Sequence, residues 1–217
     1  MQPSVSWNQP PRSERGLELC LFGVVAVFLV AYFLIAGRKP FNFDEFQVLY
    51  ASASVVKGKA YFADRIETHF PLSNILMSFL LTLTGFKASA LLIARYVIFA
   101  VNGLTCFYVY RIASRLWSRN AGLLAVALTL STVVYLDKGL EIRHDVFNTL
   151  FNVMAAYYGI RFLSTRRGLH LVLFGLLLGM AIASTQKAVI WSFGIAFGLM
   201  AALLREGEIG RASCRER

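Results

Sequence analysis

Long apolar runs alternate with short polar links along most of this chain. Leu17–Ala36, Ala88–Tyr110, Ala121–Leu136, Val146–Leu163, Leu169–Thr185 and Ala188–Leu204 are each nearly free of charge. They approach or exceed the ~20 residues that cross a bilayer as a helix. Within hydrocarbon only helices and closed barrels satisfy every backbone group, and these runs are too long and continuous for barrel strands. The expected class is therefore all-α: a polytopic helical membrane protein with about six transmembrane helices.

The pattern between the first two runs differs. Residues 37–87 read as a polar outer loop with juxtamembrane helices. Phe46, Leu49, Tyr50, Ala53 and Val56 recur at helical spacing, Asp44 and Glu45 fall at the helix start, and Gly58 is its stop. Such a segment can lie in the membrane interface with its apolar face down. Pro71–Thr84 is apolar but short for a span, and reads as a second juxtamembrane helix.

Composition agrees with the pattern: of 217 residues, 57% are hydrophobic and 16% charged, against roughly 45–50% and 25% in soluble domains. The net charge of +10 does not point to nucleic acid, because the arginines cluster in links between apolar runs. Short inner segments would carry nine Lys/Arg and the two short outer loops three, which puts both ends inside. Three cysteines, two of them within apolar runs, give no disulfide framework. Gly175-x-x-x-Gly179 and Gly194-x-x-x-Gly198 have the spacing that lets helix backbones approach.

In this topology three polar groups converge on the outer face. One is Asp44-Glu45 with Glu67 and His69. The second spans Asp137 to Asp145 and includes Lys138, Glu141, Arg143 and His144. The third is Gln186-Lys187. Asp145, Asn148 and Asn152 are spaced as one stripe running into a span, either lining a wet or ligand-filled cavity or bonding to a neighbouring helix. The bland readings stand beside these. Asp44 and Glu45 suit a helix N-terminus, Arg143 and Asp145 can be a surface ion pair, and Lys187 can mark the interface.

The order of features is informative. Phe43-Asp44-Glu45 is followed by Gly58-x-x-Tyr61, Asp64, His69-Phe70-Pro71-Leu72 and then Arg95 early in the next span. Ile142-Arg143-His144-Asp145 precedes a span, and Ser184-Thr185-Gln186-Lys187 forms a later lysine-bearing turn. This order, over roughly residues 17–204, resembles GT-C glycosyltransferases of the protein O-mannosyltransferase and lipid A aminoarabinose transferase type. The resemblance implies transfer of a sugar from a polyprenyl-phosphate donor to an acceptor glycan, lipid or protein on the extracytoplasmic side, with inversion. It implies an integral protein of the bacterial inner membrane with a cytoplasmic N-terminus. By analogy Asp44 is the catalytic base, with Glu45 and Asp145 as supporting acids. Lys187, Arg143 and His69 would bind the donor phosphate. A divalent metal is left open, with Glu67 and His69 as candidate ligands. Here that pattern reads Glu67-Thr-His-Phe-Pro, with one proline rather than two.

A transporter or lipid-binding protein with a polar outward cavity is the alternative. Against it, charge sits in loops and at helix ends, and no span is Pro-broken around a midplane site. Residues 1–16, with Pro3, Pro10 and Pro11, read as a disordered cytoplasmic tail. Glu208–Arg217 breaks with what precedes it and resembles a translated sequencing adapter. Residues 17–207 would then be the N-terminal part of a longer transmembrane domain, inactive alone.

Overall fold

A computed structural model describes residues 12–62 and 69–215, with side chains from 15 to 62 and 69 to 205. Among the described residues the chain is helical, without strands. The helices are α1 (Arg12–Arg38), α2 (Phe43–Val56), α3 (Leu72–Thr84), α4 (Ala88–Leu116), α5 (Arg119–Ser131), α6 (Val133–Lys138), α7 (His144–Thr165), α8 (Gly168–Ile182) and α9 (Ala188–Arg215). The expected all-α membrane class holds. Among the described residues three helices are long and apolar enough to cross a bilayer: Arg15–Arg38 of α1, α4, and Ala188–Arg205 of α9.

Helix α4 is the centre of the bundle, touching α1, α5 and α7, while α7 also packs on α8 and α9. Two apolar clusters follow. One joins Val25, Tyr32, Cys106, Val126 and Leu130 where α1, α4 and α5 meet. The other runs from Leu49 and Met77 through Ile98, Phe147 and Phe151 to Phe174 and Leu177. Outward faces remain apolar, as with Leu19, Val27, Phe79, Leu128, Val172 and Phe197, which is what a lipid solvent permits.

Several expectations change in detail. The run Ala121–Leu136 is broken, because Thr132 turns extended (φ −71°, ψ 135°) and its hydroxyl accepts from the Tyr135 N–H, starting α6. Helix α5 alone has 13 residues, about 20 Å at 1.5 Å per residue. The Gly175/Gly179 and Gly194/Gly198 pairs meet no neighbour, since a Cβ at any of the four would find nothing within 4 Å. The close approaches lie elsewhere. A Cβ on Gly122 would stand 2.9 Å from the Tyr110 carbonyl oxygen of α4, and one on Gly159 would stand 3.2 Å from the Phe174 ring of α8.

On α2 the buried face is Glu45, Val48, Leu49 and Ser52, while Phe46 and Tyr50 point outward with Phe43. Two of the five residues expected on its apolar face are therefore on the opposite side, forming an aromatic edge. Gly58 does end this helix region, with φ +74°, a conformation that a side chain would strain. Residues 1–11 and 63–68 lie outside the described residues, and with them Asp64 and Glu67. Helix α1 takes in Arg12–Gly16, and the side chains of 208–217 also fall outside.

Candidate active site

The adjacent acids Asp44 and Glu45 have opposite environments. Asn42 caps α2: its side-chain oxygen accepts from the Asp44 N–H at 2.6 Å, and the Glu45 carboxylate accepts from the Asn42 N–H at 3.0 Å. This reciprocal box satisfies two orphan donors of the helix start. Successive helical residues point about 100° apart. Glu45 therefore turns into the protein, fully buried, while Asp44 stays 47% exposed at its side chain.

Glu45 is spent on architecture. Arg95 of α4 donates to it through Nε at 2.7 Å and Nη2 at 2.5 Å, and the Ile142 N–H donates at 3.2 Å. Arg95 also donates to the carbonyls of Ala36, Lys39 and Pro40, and its guanidinium lies 3.8 Å from the Phe41 ring centroid. One buried pair thus fixes the end of α1, the start of α2 and the segment before α7 around α4. Expected as a supporting acid, Glu45 is instead buried against Arg95 and is not among the residues that line the cavity beside Asp44.

Asp44 faces the other way. Arg143, the residue before α7, donates to its Oδ2 at 2.5 Å. The same guanidinium approaches Glu141 at 3.4 Å and Asp145 at 3.6 Å. The expected Arg143–Asp145 pair is present, but it is the longer contact. Asp44, His69, Arg143, Asp145 and Lys187 line one cavity of about 170 Å³. Five of the seven site residues expected from sequence therefore converge from four segments of the chain. Gln47 and His144 line it as well. Gln47 is one turn beyond Asp44. The His144 ring packs on His69 with centroids 4.2 Å apart. A sequence signal existed for each: Gln47 shares Asp44's helix face, and His144 follows Arg143.

The neighbouring links explain the convergence. Tyr61 donates to the His69 carbonyl at 3.3 Å and accepts from the Asn74 side chain. The Leu72 N–H donates to the Ala183 carbonyl at 3.0 Å, tying the His69 side of the loop to the turn that carries Lys187. Lys39 donates to Asp137 at 2.8 Å and to Glu141 at 2.9 Å. Burial pushes the Glu141 carboxyl up, but Lys39 and Lys138 outweigh it and hold the group below the usual range. Hydrogen bonds from Lys39 and Lys138 lower Asp137 in the same way, and Asp137 with Glu141 raises Lys138.

The polar stripe on α7 divides. Asp145 opens to the cavity beside Asp44. Asn148 and Asn152 line a separate cavity of about 430 Å³ beside Val109, Ile112 and Trp191. Asn152 donates to the Asn148 side chain at 2.5 Å and accepts from Ser192 of α9 at 3.1 Å. The stripe both lines a cavity and bonds two helices. Of the candidate metal ligands, Glu67 lies outside the described residues. Among the described residues no three His, Cys, Asp or Glu side chains gather as a metal site.

This arrangement defines an integral membrane protein with a small, doubly charged cavity where helix starts and turns meet at one end of the bundle. The family model for dolichyl-phosphate-mannose-protein mannosyltransferase matches residues 68–211, and the chain belongs to that family. It is a membrane glycosyltransferase of the mannosyltransferase type, as the GT-C resemblance implied. The match takes in His69, Arg95, Arg143, Asp145 and Lys187; Asp44 and Glu45 precede it. Comparison with curated proteins and with solved structures returns no match.

Proposed function

We propose that the protein moves a sugar from a polyprenyl-phosphate donor to an acceptor hydroxyl at the extracytoplasmic face of a bacterial inner membrane. The observation that carries this reading is the convergence of Asp44, His69, Arg143, Asp145 and Lys187 on one cavity. The family's name, dolichyl-phosphate-mannose-protein mannosyltransferase, supports a lipid-linked sugar donor. The topology proposed with it has six spans and a cytoplasmic N-terminus, with α2 and α3 in the outer interface.

In the reaction the acceptor oxygen attacks the anomeric carbon and the carbon–oxygen bond to phosphate breaks. Asp44 takes the acceptor's proton, and the lipid phosphate leaves with the bonding pair. That leaving group already departs as an anion, so it needs positive charge more than an acid. Arg143 supplies a planar fork and Lys187 a point charge. Arg143 holds Asp44 in the free protein. A phosphate drawn to the same fork would release the carboxylate as the sugar arrives. A single displacement without an enzyme nucleophile inverts the anomeric centre. No step is assigned to a metal.

The test is transfer of labelled sugar from polyprenyl phosphate by the full-length protein and by Asp44→Asn. General-base assistance is worth roughly 10²–10⁴ in rate. A loss of that size is expected, with membrane insertion unchanged. Asp44→Asn retaining the parent rate would refute the assignment.

A further inference from the structure

The cavity of about 430 Å³ on α7 is distinct from the one beside Asp44, and α4 and α9 flank it. Its walls are apolar, with Val109, Val153, Trp191 and Ile195 among them. Asn148 and Asn152, each 7% exposed, bring amides to it. The bonds they make fix which way those amides point. Asn152 reaches the Asn148 backbone carbonyl at 3.2 Å, and only its Nδ2 can donate there. The same nitrogen donates to the Asn148 side chain at 2.5 Å, so the atom it meets is Oδ1. Ser192 donates to the remaining oxygen of Asn152 at 3.1 Å. Thr149 is spent on the Asp145 carbonyl at 2.8 Å. Asn148 Nδ2 is left on the cavity side with two N–H donors, and among the described residues none accepts from it. Buried amides ordinarily find acceptors, and hydrocarbon has no water to supply one.

Depth narrows what the acceptor is. Arg143 and Asp145 mark the charged end of α7, and Asn148 lies three residues further in, about 4.5 Å at 1.5 Å per residue. The apolar stretch of α9 begins at Ala188, and Trp191 is also three residues in. A headgroup layer is about 5–8 Å thick, so both residues stand near its boundary with hydrocarbon. Trp191, 67% exposed, suits that boundary. In a glycerolipid the groups at this level are the ester carbonyls that join glycerol to its acyl chains. We propose that the cavity holds one acyl chain of an ester-linked glycerolipid, whose carbonyl oxygen accepts from Asn148 Nδ2. From Asn148 to Ala156 the cavity follows α7 for about 12 Å, within the ~15 Å of one leaflet's hydrocarbon. The contact reads the ester linkage and not the headgroup charge. A polyprenyl chain has no carbonyl and would leave the amide unmet. The site makes no use of the catalytic reading and stands if that reading fails.

The experiment places the purified full-length protein in nanodiscs holding equal shares of diester and diether phosphatidylcholine of matched chain length, then counts retained lipid by native mass spectrometry. The diether lipid has the same headgroup and chains but lacks the carbonyl. The parent should retain the diester about fivefold more (about 1 kcal/mol for one neutral hydrogen bond, at 1.4 kcal/mol per tenfold). Asn148→Ala should erase that preference, while Asn152 keeps its bonds to the residue 148 backbone carbonyl and to Ser192. Ala156→Trp fills the space below Asn148 and should abolish retention of the preferred lipid. Equal retention of the two lipids by the parent would mean that Asn148 meets something other than an ester, and would overturn the proposal. So would a preference that survives in Asn148→Ala or Ala156→Trp. Displacement of the diester from the parent by an equal share of polyprenyl phosphate would assign the groove to a polyprenyl chain and reject the glycerolipid. The parent comparison needs no substitution, so it decides the matter even if a variant fails to fold.

Discussion

The Glu45 carboxylate and the Arg95 guanidinium meet fork to fork, at 2.7 and 2.5 Å, with side chains 0% and 1% exposed. Glu45 has a neighbour in sequence, Asp44, whose own arginine partner leaves it open to a cavity. One pair holds the frame and the other faces the cavity. Because the first also anchors the Ile142 N–H, it sets where Arg143 begins. The second pair depends on the first for its position.

Breaking the buried pair should therefore damage folding before chemistry. Removing one partner of a sealed ion pair leaves an uncompensated charge and typically costs about 3–5 kcal/mol. Arg95→Met and Glu45→Leu should each lower the thermal midpoint in detergent sharply. The double variant Glu45→Leu with Arg95→Met should recover part of the loss, since neither charge is then stranded. A double variant as unstable as the sum of its singles would show that Arg95's bonds to Ala36, Lys39 and Pro40 dominate.

Arg143 and Lys187 should separate by geometry. Arg143→Lys keeps the charge but loses the fork that reaches Asp44, Glu141 and Asp145 together. Losing one pre-organised donor to a developing anion costs about 10²–10³ in turnover. Arg143→Lys and Lys187→Gln should each lose turnover in that range, with helicity by circular dichroism unchanged. Lys187→Arg should recover more than Arg143→Lys does, because Lys187 acts as a point charge. Full turnover in Arg143→Lys would remove the fork from the mechanism.

The helix–helix contacts give a sharper test of packing. Gly122→Ala places a methyl group 2.9 Å from a backbone carbonyl that cannot swing away, and overpacking of this kind costs about 1–3 kcal/mol. Gly175→Ala and Gly194→Ala meet nothing within 4 Å. There alanine should be neutral or slightly stabilising, since glycine is the weaker helix former by about 1 kcal/mol. Thermal unfolding of the three variants checks the order, which the sequence spacing alone would have reversed.

That reversal shows what was legible and what was not. Apolar runs fix helices because the bilayer leaves the backbone no other choice, and Asp44 and Glu45 marked a helix start through their chemistry. Which face of a helix finds a partner is a tertiary fact. The GxxxG spacing says that a close approach is possible, and only the position of α4 shows that it occurs at Gly122. Likewise Phe46 and Tyr50 have the right period, but Glu45's attraction to Arg95, fifty residues away, rotates that face outward. The break at Thr132 had a local signal in Ser131-Thr132 followed by Val133-Val134, a β-branched run whose hydroxyls compete for backbone donors, hidden inside an apolar stretch. The site was readable because its charges sit at helix ends, where sequence punctuation is strongest.

Acid should loosen the tie between Lys39 and the loop before α7. Glu141 titrates below its ordinary value when folded, so as pH falls the unfolded chain takes up the proton first. The stabilisation from this carboxylate is present in full above the ordinary glutamate value, about 4.3. It is lost as pH falls from there through the lower folded value. Asp137 shifts in the same direction and adds to the same limb. Lys138 is raised, so its share is present below its ordinary value and disappears only as strongly alkaline pH passes the folded one. Thermal midpoints of the parent and Glu141→Gln, measured from about pH 7 down to about pH 3, should differ at neutral pH and converge on the acid side. A gap that stays constant across this range would mean that Glu141 contributes through shape and not through its charge.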